Sequence, residues 1–132
     1  MIDLGHWQTK LEIPESPYGF IYIITNNVSN RKYIGKKQML TKQKRQPLKG
    51  KKRKRITIVD TDWKTYTSSS TELNKDIEQL NISSFTFEII RFCKSKSELA
   101  YFEAKEQFDR EVLLKEEYYN GIINLRIGKI KL

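Results

Sequence analysis

A single cysteine, Cys93, leaves no partner for an intramolecular disulfide and removes every cysteine-based zinc cage, and the single histidine, His6, removes sites built on two or more imidazoles. A lone thiol suits a reducing compartment, so a cytoplasmic location is expected. No apolar run approaches the length needed to cross a bilayer, and the N-terminus lacks the basic-then-apolar layout of a leader peptide. Acidic residues are missing altogether between Glu15 and Asp60.

Positive charge fills that gap. The chain of 132 residues, a length that suits one domain with its own core, carries a formal charge of +9 from 25 Lys and Arg against 16 Asp and Glu. Nine of the fourteen residues from 42 to 55 are basic, namely Lys42, Lys44, Arg45, Lys49, Lys51, Lys52, Arg53, Lys54 and Arg55. Outside this segment the charges balance, so a concentrated cationic stretch on a neutral body points to a polyanionic partner. Nucleic acid fits better than an anionic membrane, because the segment has no apolar face to insert. The plain alternative is a solvated loop.

The order of elements reads as β-hairpin, loop, helix, strand, helix and turn. Residues 1 to 17, with Pro14 and Pro17, form an extended lead-in tacked down by Trp7 and Ile13. Phe20 to Thr25 has the composition of a buried strand, Asn26 to Asn30 that of a turn, and Arg31 to Ile34 that of a second strand ending at Gly35. The basic insertion, residues 36 to 62, reads as a loop. Leu73, Ile77 and Leu80 share a face of a short helix behind a Ser/Thr-rich cap. Phe85, Phe87 and Ile89 alternate along a strand with Ile90 and Phe92 on its other face, and a longer helix capped near Ser95 or Ser97 extends to about Leu114. Tyr118 to Gly121 mark a turn, followed by irregular or weak strand structure.

Within the hairpin, Tyr22 and Tyr33 lie close to Gly35, Lys36 and Lys37, a set that can position water and stabilise charge on a phosphate. Taken alone, tyrosines in strands are more often cross-strand packing residues. The stretch Gly19-Phe20-Ile21-Tyr22, followed after ten residues by Tyr33-Ile34-Gly35, resembles the GIY-YIG nuclease family, with phenylalanine where the first tripeptide has glycine. The likeness runs on through Trp63 to Ser69, the Leu73 helix, the Phe85 to Ile90 strand, a Glu-bearing helix and Tyr119-Asn120, over about residues 18 to 125. It is strongest toward the small phage-encoded, homing-endonuclease-like members.

That resemblance implies an α/β (α+β) fold, a three-stranded antiparallel sheet flanked by helices in a single domain, that hydrolyses DNA phosphodiesters with one divalent ion, Mg2+ or Mn2+. It implies that Tyr22 orients or activates water, that Tyr33 is its companion, and that Lys36 supports Tyr22 by favouring the phenolate. It also implies one metal-binding carboxylate on the last helix. Glu103 and Glu106 are the candidates, and Glu103 has the more apolar helical neighbours in Leu99 and Ala100. Asn120 matches a residue that helps hold the site, and Tyr66 or Ser69 stands where a family segment contributes a hydroxyl or imidazole. The basic residues of 42 to 55, with Lys37, are the expected DNA contacts. Where many members carry a helical arginine this chain has Gln43, leaving Arg45, Arg53 or Arg55 to take its place. The chain stops at Leu132 without an appended recognition module, so specificity is expected to be modest or supplied by a protein partner. Two other readings are weighed. A PD-(D/E)xK nuclease would use Asp62-Trp63-Lys64, but the upstream carboxylate it needs is missing; a non-catalytic nucleic-acid-binding domain would use the basic loop alone.

Overall fold

The computed structural model describes residues 3–130. Among them are six strands and two α-helices: β1 (Gln8–Thr9), β2 (Gly19–Asn26), β3 (Lys32–Gln38), β4 (Leu40–Arg45), β5 (Arg55–Asp60), α1 (Thr71–Leu80), β6 (Phe85–Cys93) and α2 (Lys96–Asp109). One sheet has the order β1-β6-β2-β3, and β4 pairs with β5 in a separate two-stranded ribbon. The antiparallel β6-β2-β3 core is the expected one. The sheet has a fourth strand, because the lead-in lays Gln8 and Thr9 in parallel against Glu88 and Ile89 and Thr9 Oγ1 donates to the Ile89 carbonyl at 2.9 Å.

Strand β2 is buried on both faces, as a continuous Phe-Ile-Tyr-Ile-Ile run at the middle of a covered sheet should be. Phe20, Tyr22 and Ile24 pack with Trp7, Trp63 and Leu73 on the α1 side. Ile21 and Ile23 pack with Ile34, Leu99 and Val112 on the α2 side. A bulge interrupts the expected alternation in β6: Ile21 faces Arg91 while Tyr22 faces Ile89, leaving Ile90 unmatched. Phe92 consequently joins the cluster of Phe87, and Ile90 the opposite one.

Both helices start where the caps indicate. Ser70 Oγ accepts from Leu73 N and Ser95 Oγ from Glu98 N, each at 3.2 Å. Leu73 is fully buried, whereas Leu80, the last residue of the helix, keeps 38% exposure. The second helix stops at Asp109 rather than near Leu114, because Glu111 turns into the left-handed region at φ 55° and carries Val112 into the core.

The basic insertion is not a loop. Leu40 to Arg45 pairs residue for residue with Asp60 to Arg55, and only 46–54 remains as a tip. The foot of this ribbon is fastened to the sheet by Thr61 N donating to the Met39 carbonyl at 2.9 Å and Thr61 Oγ1 to the Gln38 carbonyl at 2.6 Å. Among the described residues no helix is long and apolar enough to cross a membrane.

Candidate active site

Tyr22 and Gly35 are directly opposite each other in the β2–β3 pairing, and β3 is the edge strand. A Cβ at Gly35 would overlap the Tyr22 hydroxyl and stand 2.6 Å from its Cζ. The phenol therefore crosses over Gly35 and brings its oxygen from the α1 face to the sheet edge, a path that only glycine leaves open. The ring of Tyr33 stacks on that of Tyr22 with centroids 6.2 Å apart, and Tyr66 meets Tyr22 edge-on at 6.3 Å. Phe20, which stands where the family motif has glycine, is wholly buried against Trp7 and Trp63 and takes no part in this edge.

Glu103 reaches the same edge from α2. Its carboxylate lies 3.8 Å from Lys36 Nζ, and its side chain keeps 20% exposure. Burial raises its carboxyl above the usual range, against the opposing pull of the Lys36 ammonium and a hydrogen bond from the Lys36 backbone. Glu106 points elsewhere: it accepts from Arg110 Nε at 2.9 Å. The Glu103 charge is close enough to act on Tyr22, Tyr33 and Tyr66 alike. Burial, followed by these neighbours, holds the Tyr22 phenol well above its ordinary range. The Lys36 ammonium, expected beside Tyr22, faces the Glu103 carboxylate.

Ser69 lies within hydrogen-bonding reach of both Tyr33 and Tyr66, partly offsetting the burial that raises them. Lys37 Nζ sits 4.1 Å above the Tyr66 ring and 2.6 Å from Asp62 Oδ1. The segment carrying Tyr66 is clamped from the lead-in, since His6 Nε2 bonds the Tyr66 carbonyl at 2.9 Å and Trp7 Nε1 donates to the Trp63 carbonyl at 2.6 Å. Neither the clamp nor the Lys37–Asp62 pair has a local sequence signal, because both join residues far apart in the chain.

Asn120 holds backbone. Its Oδ1 accepts from Ile34 N at 3.0 Å and its Nδ2 donates to the Ile34 carbonyl at 2.8 Å. Gln107, which sequence reading passed over, donates to the same carbonyl at 3.1 Å. With Ile34 fixed, so are Tyr33 and Gly35 on either side. Asn120 thus braces strand β3 at Ile34.

The remaining candidates lie on the ribbon. Lys42 and Lys44 are in β4, Lys49, Lys51, Lys52, Arg53 and Lys54 are in the tip, and Arg55 opens β5 with its Nε donating to the Gln46 carbonyl at 3.3 Å. Arg53 and Arg55 are at the distal end, about 17 Å along the strands from the foot. The side chain of Arg45 lies outside the described residues. Among the cations of the edge strand, Lys36 faces Glu103 and Lys37 faces Tyr66 and Asp62.

One carboxylate beside phenol and hydroxyl oxygens suits a hard, mostly hydrated ion such as Mg2+ or Mn2+, and the described residues contain no group of three His, Cys, Asp or Glu of the kind a protein-caged ion needs. Tyrosines stacked across a hairpin and faced by a helix-borne glutamate define a nuclease domain of the GIY-YIG type. The family model described as "Putative endonuclease segE, GIY-YIG domain" matches residues 6–123, from the His6 clamp to beyond Asn120. The chain belongs to the GIY-YIG endonuclease family, for which DNA is the implied substrate. No curated protein and no solved structure matches it.

Proposed function

We propose that the chain is an endonuclease that hydrolyses DNA phosphodiesters with one divalent cation, Mg2+ or Mn2+, held by Glu103. The observation that carries this reading is the passage of the Tyr22 phenol over Gly35 to the edge where Glu103 and Lys36 meet. When bound, the cation polarises a phosphoryl oxygen and neutralises developing charge. Tyr22, as a neutral phenol, accepts a hydrogen bond from water while donating its own, which orients that water for attack at phosphorus. Tyr33 and Tyr66 hold the Tyr22 ring from its face and its edge, and Ser69 ties the two together. The Lys36 ammonium offers charge to a non-bridging phosphate oxygen, and Asn120 keeps the strand in place.

Nicking of supercoiled plasmid with and without Mg2+ tests this. Wild type should nick only with the ion, Glu103→Ala should lose that activity while binding duplex almost unchanged, and Glu106→Ala should remain active. Tyr22→Phe should keep the fold and lose about 10²–10⁴-fold in rate. A wild-type protein that binds duplex and never nicks it would overturn the proposal in favour of a binding domain.

A further inference from the structure

The β4–β5 ribbon has a chemistry that phosphate binding alone does not require. Residues opposite one another in an antiparallel pair share a face, so Lys42 lies beside Ile58 and Lys44 beside Ile56. Ile56 and Ile58 are 63% and 67% exposed, the middle of a face left open by the other described residues. The one acidic residue on the ribbon, Asp60, is at the foot. Beside the foot opens a cleft of about 420 Å³, bordered by Tyr18, Gln38, Leu40, Lys42, Ile58 and Lys96, with two ammonium groups and no carboxylate.

We infer that this ribbon enters the major groove of B-form DNA and reads bases through the face of Lys42, Lys44, Ile56 and Ile58, while the tip grips phosphate. The inference rests on the nuclease reading and supplies its recognition element. The major groove is wide enough for a two-stranded ribbon; the minor groove is about half that width. Lysine ammonium groups suit the O6 and N7 acceptors of guanine, and aliphatic side chains suit the thymine methyl. Single strands are disfavoured because residues 40 to 60 contain no aromatic platform on which bases stack. Duplex RNA is disfavoured because its major groove is too narrow for side chains to read. Pairing with a second copy would bring Lys42 and Lys44 against their own kind.

The ribbon is about 20 Å long and is fixed at the active-site edge through Thr61 and the Lys37–Asp62 pair, so the bases it reads lie within about six base pairs of the cut. The five tip cations Lys49, Lys51, Lys52, Arg53 and Lys54 contribute affinity without sequence.

Selection of randomised duplexes by the full-length protein without divalent ion, followed by uracil-for-thymine replacement in the selected site, tests the inference. Replacement at one or two positions within six base pairs of the cut should weaken wild-type binding about three- to tenfold. The effect should disappear in Ile56→Thr/Ile58→Thr, which keeps β-branching and charge. Neutralising Lys51, Lys52, Arg53 and Lys54 should instead weaken all duplexes and leave the preference intact. Should the double variant fold poorly, Ile58→Val must still reduce the uracil effect. Absence of any preference, a preference untouched by the isoleucine changes, or competition by a minor-groove ligand alone would overturn the inference. Sequence-preferring binding without cleavage would sink the nuclease reading and leave the ribbon standing; random cleavage would do the reverse.

Discussion

A methyl group at Gly35 has nowhere to go except into the Tyr22 ring, whose Cζ lies 2.6 Å from the place it would occupy, with Tyr33 Cε1 at 2.9 Å. Gly35→Ala should therefore cost about 1–3 kcal/mol through overpacking and displace the Tyr22 oxygen from the sheet edge. Urea melting and plasmid nicking together check this, because the loss of activity should persist at temperatures where the variant is fully folded. Cys93 behaves differently from a surface thiol, since burial pushes it up to about 11. Its folded value is the higher one, so the stability it supports is complete below the unfolded value of 9.0 and is lost as pH rises toward 11. The phenols of Tyr22, Tyr33 and Tyr66 are also raised by burial and add in the same direction. Urea midpoints should fall between pH 9 and 11, less steeply in Cys93→Ala, and iodoacetamide should leave the native thiol unlabelled at pH 8. A native thiol alkylated as fast as a free one would contradict the burial.

At the scale of elements, strand β3 depends on a side chain from far along the chain. Asn120→Ala would leave Ile34 N without its acceptor, a loss of about 1–3 kcal/mol for a buried donor. Equilibrium unfolding should show this destabilisation, and the folded fraction should nick more slowly because Tyr33 and Gly35 flank the loosened residue. Elements with a buried side or a cap were legible in the sequence: Phe20 to Thr25, the Leu73 helix behind its Ser/Thr-rich cap, and the start of α2 near Ser95 or Ser97, of which the structure uses Ser95. The ribbon was not, because Thr41 to Lys44 are all exposed and so lack the apolar alternation by which strands are recognised. Two-residue β1 was hidden for another reason, its partners being some eighty residues away. The end of α2 lacked the usual glycine, Glu111 taking the left-handed turn instead. That Tyr22, Tyr33 and Glu103 come together at one sheet edge could be anticipated from motif and helical neighbours. The facing of Lys36 toward Glu103 could not, since it depends on how α2 lies across an edge strand.

Over the whole molecule, the cationic excess is gathered on one projection rather than spread around the body. If about five or six of these charges meet phosphate, log affinity should fall with log salt at a slope of roughly −5. Removing Lys51, Lys52, Arg53 and Lys54 should flatten it by about 3, as binding titrations from low to high salt would show. An unchanged slope would mean that the tip never touches DNA.

The outward side of β3 is occupied position by position. Lys32 N donates to the Glu117 carbonyl and its own carbonyl accepts from Tyr119 N, each at 2.7 Å. Ile34 is met by Asn120 and the Lys36 backbone by Glu103. A strand edge with free amide and carbonyl groups is a template on which other chains polymerise. Here the residues that arrange the candidate site also cap that template, so loosening them should expose a sticky edge, and aggregation should accompany any loss of nicking.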